Sequence, residues 1–265
     1  YINMMSWTQT LSIAVTLVLM YLSGETSGVG QPCGNSLAGA RIVNGANAKG
    51  GTWPWMARLT ICPGKTSANE CRICGGSLIN DRWILTAAHC IHDYDNGEKV
   101  DEIRATFDDV YVRDEYAAKM SDYNKETVRN DIALLKLPSS YDLNAICLPP
   151  YNLTTSGGRG CMASGWGVSD LRVYSPSNTL QHVHLPMADD NLCAREFPDI
   201  DLNTQFCAGI LKSNINVCSG DSGGPLNCQL TNGAWVANGV ASFVSKRGCT
   251  ASFGVFTRLP KLVRI

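Results

Sequence analysis

Short apolar runs, separated by clusters of Gly, Pro, Asn and Asp, recur along most of the chain. They have the length of β-strands, and no long segment shows the 3.6-residue apolar period of an amphipathic helix. The clearest runs are residues 55–59, 83–86, 132–135, 181–185, 235–240 and 253–257. This pattern predicts an all-β barrel or sandwich. One short helix is predicted to begin near Asp189 and Asp190, whose carboxylates suit an N-cap and a first turn.

The apolar run at residues 11–22 differs from the others, because its 12 residues carry no charge. It is too short for a membrane-spanning helix, which needs about 20 apolar residues. Small residues follow it, namely Ser23, Gly24, Ser27 and Gly28. This order is typical of a secretory signal peptide, which we expect at residues 1–23, and a buried core helix is the alternative. No later run approaches membrane length, so we expect no membrane segment in the mature form.

The composition narrows the class of protein. Lys and Arg number 22 against 23 Asp and Glu, and the formal net charge of -1 excludes a strongly basic nucleic-acid binder. A hydrophobic fraction of 45% with 17% charged residues excludes a disordered chain. The 12 cysteines, an even number in 265 residues, indicate disulfides and secretion. Their spacing alone does not select one pairing.

Three short segments supply an imidazole, a carboxylate and a hydroxyl. They are residues 85–90 with His89, 130–135 with Asp131, and 220–225 with Ser222. A serine hydroxyl is a poor nucleophile at neutral pH, and a neighbouring imidazole can remove its proton during attack. A buried carboxylate orients such an imidazole and stabilises its charged form. Alone, each residue has a structural interpretation, as a core histidine, a turn or strand cap, and a tight turn, but their joint occurrence favours catalysis.

These segments resemble those of the chymotrypsin-like serine proteases, which have the trypsin fold. The order His, Asp, Ser along the chain matches that family. Further matching pieces are residues 41–45, 53–55, 74–79 and 165–167, and the resemblance extends from about residue 33 to residue 258. It implies two six-stranded antiparallel Greek-key β-barrels with the active site in the cleft between them. His89 would be the general base, Asp131 its orienting carboxylate and Ser222 the nucleophile, while the N–H groups of Gly220 and Ser222 would form the oxyanion hole.

The resemblance also implies a zymogen. Arg41–Ile42 matches the activation junction, and the Ile42 ammonium released by cleavage would pair with Asp221. The propeptide would be residues 24–41 and the catalytic domain residues 42–265, with the family's C-terminal helix beginning near Pro260 and truncated. Many relatives have a His at the position of Arg72, and one hypothesis is that Arg72 pairs with Asp221 before cleavage. A solvent-facing Arg72 is the favoured alternative.

The family pattern selects a pairing for ten of the cysteines. The implied disulfides are Cys74–Cys90, Cys161–Cys228, Cys193–Cys207, Cys218–Cys249 and Cys33–Cys147. Cys62 and Cys71 have no counterpart in the pattern, and they either close a small extra ring or remain as free thiols. In a secreted chain the extra ring is favoured.

Substrate preference in this family depends on a pocket for the side chain before the scissile bond. Asn216 lies at its implied base, where trypsin-like members have Asp, so strong selection for Lys or Arg is not expected. Val244 and Gly254 occupy the wall positions, and residues 243–245 resemble those of pancreatic elastases. The sequence therefore predicts cleavage after small to medium uncharged residues, with a chymotrypsin-like preference for aromatic residues as the alternative. A non-catalytic relative is a second alternative.

A few other residues are candidates for further sites. His182 and His184, two apart on a strand, suit a solvent-facing strand better than a metal site. Asp108, Asp109, Asp114 and Glu115 suit a solvated acidic loop better than the calcium loop of some relatives. Asn152 is a candidate for glycosylation. The resemblance implies no cofactor, and as partners it implies protein or peptide substrates, an activating trypsin-like protease and protein inhibitors. We expect a secreted monomer.

Overall fold

The computed structural model describes residues 33–36, 46–63, 71–92, 100–107, 110–113, 117–120, 123–150 and 159–259. The strands in its first half are β1 (Ala46–Asn47), β2 (Met56–Pro63), β3 (Arg72–Leu78), β4 (Trp83–Thr86), β5 (Val100–Phe107), β6 (Val110–Arg113), β7 (Ala117–Met120) and β8 (Ala133–Lys136). Those in its second half are β9 (Arg159–Gly165), β10 (Val168–Asp170), β11 (Ser175–Pro176), β12 (Gln181–His184), β13 (Gln205–Ala208), β14 (Pro225–Gln229), β15 (Trp235–Phe243) and β16 (Gly254–Arg258). The helices in these ranges are α1 (Ala88–Ile91) and α2 (Asp190–Glu196).

The strands form two large antiparallel sheets, and most of each sheet comes from one half of the chain. The first has the order β6-β5-β2-β3-β4-β8-β7, and the second has the order β1-β12-β9-β14-β15-β16-β13. A separate two-stranded ribbon contains β10 and β11. The sheets confirm the predicted two-barrel architecture. Each has seven strands where six per barrel were expected, and in the second sheet β1 adds a two-residue pairing to the edge of β12.

The alternation of apolar and polar residues explains why the barrels close around apolar cores. In β2 the side chains of Ala57, Leu59 and Ile61 are buried, while those of Arg58 and Thr60 between them are partly exposed. Successive side chains of a strand point to opposite faces of its sheet, so one face of β2 faces the core and the other faces water. The same pattern occurs in β5. Burial of the apolar face is the main stabilising contribution of these strands.

The predicted helix near residue 189 is confirmed as α2. The Asp189 side chain accepts hydrogen bonds from the backbone N–H groups of Asn191 and Leu192, as an N-cap does. Asp190 adds a negative charge in the first turn, where the helix dipole favours it.

The two barrels meet where β3 contacts the turn before β14. Gly75 has no side chain, and a Cβ atom added there would lie only 2.9 Å from the Cα atom of Gly224. This close approach lets the Gly75 N–H donate to the carbonyl oxygen of Ser222 at 2.7 Å. Farther along the interface, Trp55 Nε1 donates to Asn227 Oδ1 at 2.8 Å. The cleft between the barrels is therefore held by contacts between residues far apart in sequence.

All six expected disulfides are present, including Cys62–Cys71, and no cysteine in the described part of the chain is free. Cys74–Cys90 joins β3 to α1, and Cys218–Cys249 joins the segment before Ser222 to the segment before β16. Among the described residues, the helices are too short to cross a membrane. The predicted signal peptide lies outside these residues.

Candidate active site

His89 and Asp131 meet because the strands that carry them are paired. In the antiparallel pair β4 and β8, the last residue of β4, Thr86, lies opposite the first residue of β8, Ala133. Residues just after β4 and just before β8 therefore lie at the same end of the sheet. His89 Nδ1 donates to Asp131 Oδ2 at 2.7 Å, and the backbone N–H of His89 donates to Oδ1 at 2.8 Å. This contact fixes the orientation of the ring and leaves Nε2 available to accept a proton.

Asp131 is fully buried, and both its carboxylate and its backbone carbonyl receive hydrogen bonds from the second barrel. Ser242 Oγ on β15 donates to Asp131 Oδ2, and Thr257 Oγ1 on β16 donates to the backbone carbonyl of Asp131. A buried carboxylate needs such donors, since burial without them is costly. No local pattern in the sequence indicates the role of Ser242, which lies 111 residues from Asp131 along the chain.

Ser222 lies in a glycine-rich turn at the barrel interface. Gly220 and Gly223 have φ angles of 99° and 82°, a region that side chains rarely adopt. The turn is fixed on the first barrel by the hydrogen bond from Gly75 N–H to the Ser222 carbonyl and on the second by Gly223 N–H, which donates to the Ala241 carbonyl at 2.8 Å. In the described part of the chain no hydrogen bond joins Ser222 Oγ to His89, which is common for catalytic pairs without substrate.

The two predicted oxyanion donors have no acceptor of their own. Among the described residues, the backbone N–H groups of Gly220 and Ser222 donate to no other group, whereas the N–H of Asp221 between them donates to the Cys218 carbonyl at 3.0 Å. Free N–H groups on either side of a bonded one are available to an incoming oxyanion.

A small cavity of about 100 Å³ lies beside Ser222, and Val244 is part of its wall. Asn216 and Gly254, the other predicted pocket residues, are not part of its wall; they are neighbours, since a Cβ atom added at Gly254 would lie 3.0 Å from Asn216 Oδ1, and Asn216 lines the second cavity described below. Asn216 Nδ2 donates to the carbonyls of Cys249 and Ser252, at 2.7 and 2.9 Å. The amide of Asn216 is thus bonded to the backbone and carries no charge.

A second cavity, of about 250 Å³, has Asp221, Gly165 and Gly167 in its wall. Asp221 accepts hydrogen bonds from the N–H groups of Gly167 and Cys218, at 2.8 and 2.9 Å. Burial raises the pKa of Asp221 from 3.8 to about 6, although these two hydrogen bonds lower it in part. In the uncleaved chain, the partners of this carboxylate among the described residues are therefore backbone N–H donors, and no cation is among them.

This arrangement makes the stability of the uncleaved chain depend on pH. An acid whose pKa is higher in the folded state stabilises that state fully below pH 3.8, and the contribution is lost as pH rises through about 6. We expect Asp221→Asn to become more stable relative to wild type between pH 4 and 7. The rise of about two pKa units corresponds to at most about 3 kcal/mol. Urea unfolding of both uncleaved proteins across this range measures the difference, and a constant difference would contradict the expectation.

Two expectations about other residues are wrong. Arg72 does not pair with Asp221; its Nη2 donates to the carbonyl of His92 at the end of α1, at 3.0 Å. His182 does not face solvent, because Trp53 covers it and donates from Nε1 to His182 Nδ1 at 3.0 Å. Burial lowers the pKa of His182, so the ring is a neutral core residue, while His184 is exposed.

One cluster of possible metal ligands does not form a site, and several expected sites are not described. Among the described residues, Cys74, His89 and Cys90 lie close enough to suggest a metal site, but the two sulfurs belong to one disulfide and offer no thiolate. Some expected sites lie outside the described residues, namely Arg41, Ile42, Asp108, Asp109, Asp114, Glu115 and Asn152.

Comparisons with known proteins agree with this geometry. The trypsin family profile matches residues 42–265. The chain is 33% identical over 237 residues to an ovochymase of Halocynthia roretzi. That match covers 84% of this chain but only 15% of the ovochymase, so the chain corresponds to a small part of that protein.

Proposed function

Since the chain belongs to the trypsin family of serine proteases, we propose that it is a secreted serine endopeptidase that is made as a zymogen and cleaves peptide bonds through an acyl-enzyme. The observation that carries this proposal is the fully buried Asp131 carboxylate, bonded to His89 Nδ1 at 2.7 Å. Burial of a carboxylate is costly unless it is hydrogen-bonded, and here one of its hydrogen bonds orients the imidazole. The serine turn with two free N–H groups lies beside it.

In the proposed mechanism, His89 Nε2 removes the proton of Ser222 Oγ as this oxygen attacks the carbonyl carbon of the scissile bond. Asp131 stabilises the imidazolium that forms. The N–H groups of Gly220 and Ser222 bind the negative oxygen of the tetrahedral intermediate. His89 then gives its proton to the leaving amine, and the C–N bond breaks. Water, deprotonated by the same imidazole, hydrolyses the acyl-enzyme and restores the serine.

The cavity beside Asp221 supports the proposed activation. Burial raises the pKa of the Asp221 carboxylate, and a cation placed beside this carboxylate would be strongly favoured. Cleavage after Arg41 by a trypsin-like protease would release such a cation, the Ile42 ammonium. The family match also begins at residue 42. We therefore assign residues 1–23 to a signal peptide, 24–41 to a propeptide and 42–265 to the catalytic domain.

The propeptide is expected to stay attached after cleavage. Cys33 is joined to Cys147, and the adjacent Gly34 N–H donates to the carbonyl of Ala145 at 2.8 Å. The Trp235 N–H donates in turn to the Gly34 carbonyl at 3.0 Å. Non-reducing electrophoresis of the cleaved protein should show one species, and reduction should release a small peptide. A Cys33→Ser, Cys147→Ser double variant is the control, and release of the peptide from wild type without reductant would contradict the expectation.

We propose that the enzyme cleaves after small to medium uncharged residues. Asn216 offers no charge to Lys or Arg, and its amide is already bonded to backbone carbonyls. Val244 places a branched side chain in the wall of the small cavity beside Ser222. One methylene group in such a pocket changes specificity by only about 1–3 kcal/mol, so the preference should be broad.

Kinetics on matched peptides that differ only in the residue before the scissile bond test this proposal. We expect Ala, Val, Leu and Met substrates to have higher kcat/KM than Lys or Arg substrates. Val244→Gly should shift the preference toward Phe and Tyr, because it removes three carbon atoms from the cavity wall. Val173→Gly is a control, since Val173 is an exposed valine outside this cavity. Faster cleavage after Lys or Arg, or no shift in Val244→Gly, would contradict the pocket assignment.

A further inference from the structure

The helix that carries His89 has little stability of its own. It contains only four residues, Ala88–Ile91, and its N-cap residue Ala87 makes no side-chain hydrogen bond to it. Isolated helices shorter than about 12 residues are marginal in water. The position of the His89 imidazole therefore depends on what holds α1 against the rest of the barrel.

Hydrogen bonds and a disulfide hold α1 in the described part of the chain. At its middle, His89 is bonded to Asp131, and the next residue, Cys90, is joined by a disulfide to Cys74 on β3. At its end, the guanidinium of Arg72 donates from Nη2 to the carbonyl of His92 at 3.0 Å. Arg72 and Cys74 are two residues apart on β3, so they lie on the same face of the strand. This face of β3 thus binds α1 at two points.

The contact of Arg72 suits the end of a helix. His92 follows the last helical residue with an extended backbone, so its carbonyl does not continue the helix and takes its donor from outside it. Arg is charged at every accessible pH, and hydrogen bonds from charged donors are stronger than neutral ones. His92 itself packs edge-on against Tyr123, with 5.4 Å between ring centroids. The end of α1 is therefore fixed both by charge and by packing.

Arg72 also affects the electrostatics beside the site. Burial and the charge of Asp131 raise the pKa of Tyr123 to about 12, and Arg72 opposes this rise. Tyr123 thus stays neutral at working pH, and among the described residues the charges that act on it are those of the Asp131 carboxylate and the Arg72 guanidinium.

We propose that Arg72 is a positioning residue for His89, whose guanidinium fixes the end of α1 and so holds the imidazole against Asp131. The role rests on the proposed function, because the position of the imidazole affects a rate only where His89 is the general base. It differs from the zymogen role expected from the sequence, since the contact involves α1 and not Asp221.

The test compares Arg72→Ala with wild type in the full chain cleaved after Arg41. A small displacement of a catalytic group lowers the rate of chemistry more than substrate binding. We expect kcat on a peptide substrate to fall about 10- to 100-fold, with KM within about twofold of wild type. Added guanidinium ion at millimolar concentration should restore part of kcat, because it can donate to the vacated His92 carbonyl. The rate of labelling of Ser222 by an organophosphorus reagent should fall in parallel.

Arg82→Ala is the matched control. Arg82 also donates from Nη2 to a backbone carbonyl, that of Pro138, at 3.3 Å, but it lies at the opposite end of the β4–β8 pair from His89. Its kcat should equal that of wild type and should not respond to guanidinium. An unchanged kcat in Arg72→Ala, or a higher KM with unchanged kcat, would overturn the positioning role.

Two conservative variants keep the test decisive if Arg72→Ala does not fold. Arg72→Lys retains a charged donor and should keep a higher kcat than Arg72→Gln, which retains only neutral donors. Equal kcat in both variants would overturn the proposal. An inactive wild-type protein contradicts the proposed function itself, whereas an active wild type with an unaffected Arg72 variant contradicts only the positioning role.

Discussion

Replacing Ser222 with Ala is expected to lower kcat of the cleaved protein on the order of 10⁶-fold, with little change in KM. The hydroxyl is the proposed nucleophile, and Ala leaves nothing that can form the acyl-enzyme. The residual rate should come from substrate binding and from the N–H groups of Gly220 and residue 222, which do not need the hydroxyl. Initial rates of peptide hydrolysis at several substrate concentrations measure both constants.

Ser213→Ala is the control for this variant. Ser213 lies in a turn earlier along the chain, where its hydroxyl accepts a hydrogen bond from the Ile215 N–H at 3.2 Å. We expect its kcat to match that of wild type. A Ser222→Ala protein that keeps most of its activity would show that the serine turn is not the site of covalent chemistry.

Replacing Arg41 with Gln is expected to keep the protein in its low-activity form, because an activating trypsin-like protease would no longer cut before Ile42. Asp221 would then lack a cation, and removing one partner of a buried ion pair costs about 3–5 kcal/mol. Since 1.36 kcal/mol corresponds to a factor of ten, activity should be about 10²- to 10⁴-fold below that of the cleaved wild type. Peptide hydrolysis after protease treatment, with sequencing of the new amino terminus, measures this effect.

Arg172→Gln is the matched control, because Arg172 is an exposed arginine in the turn between β10 and β11. This variant should activate normally and yield Ile42 as a new amino terminus. Full activity of Arg41→Gln without cleavage would contradict the zymogen assignment. A cleaved Asp221→Asn protein should resemble Arg41→Gln, since it has the ammonium but not its partner.

The features predicted correctly from sequence depend on local patterns. The N-cap of α2 follows from Asp189 and its neighbours, and β2 follows from alternation between residues 57 and 61. The motifs around His89 and Ser222 are also local in sequence, but the contact of His89 with Asp131 depends on the pairing of β4 with β8. The extra disulfide, Cys62–Cys71, is predictable because both residues lie in one short segment of a chain with an even number of cysteines.

The features that the sequence did not reveal depend on contacts between distant segments. Alternation places His182 and His184 on one strand, but only the packing of Trp53, 129 residues away, makes His182 a buried residue. The contact of Arg72 with His92 likewise depends on how β3 approaches α1, and a charged residue at the start of a strand gives no sign of its partner. Contacts between side chains so far apart in sequence can be identified only once the fold is known.

Covalent labelling of the cleaved protein with diisopropyl fluorophosphate, followed by mass spectrometry of its peptides, tests the proposed catalytic site most directly. The reagent reacts with a serine only when a base activates it and an oxyanion site accepts the phosphoryl oxygen. We predict one label per molecule on Ser222, much slower labelling in His89→Ala, and none in Ser222→Ala. Labelling of another serine, or no labelling of a folded and cleaved wild-type protein, would contradict the assignment of His89, Asp131 and Ser222 as a catalytic triad.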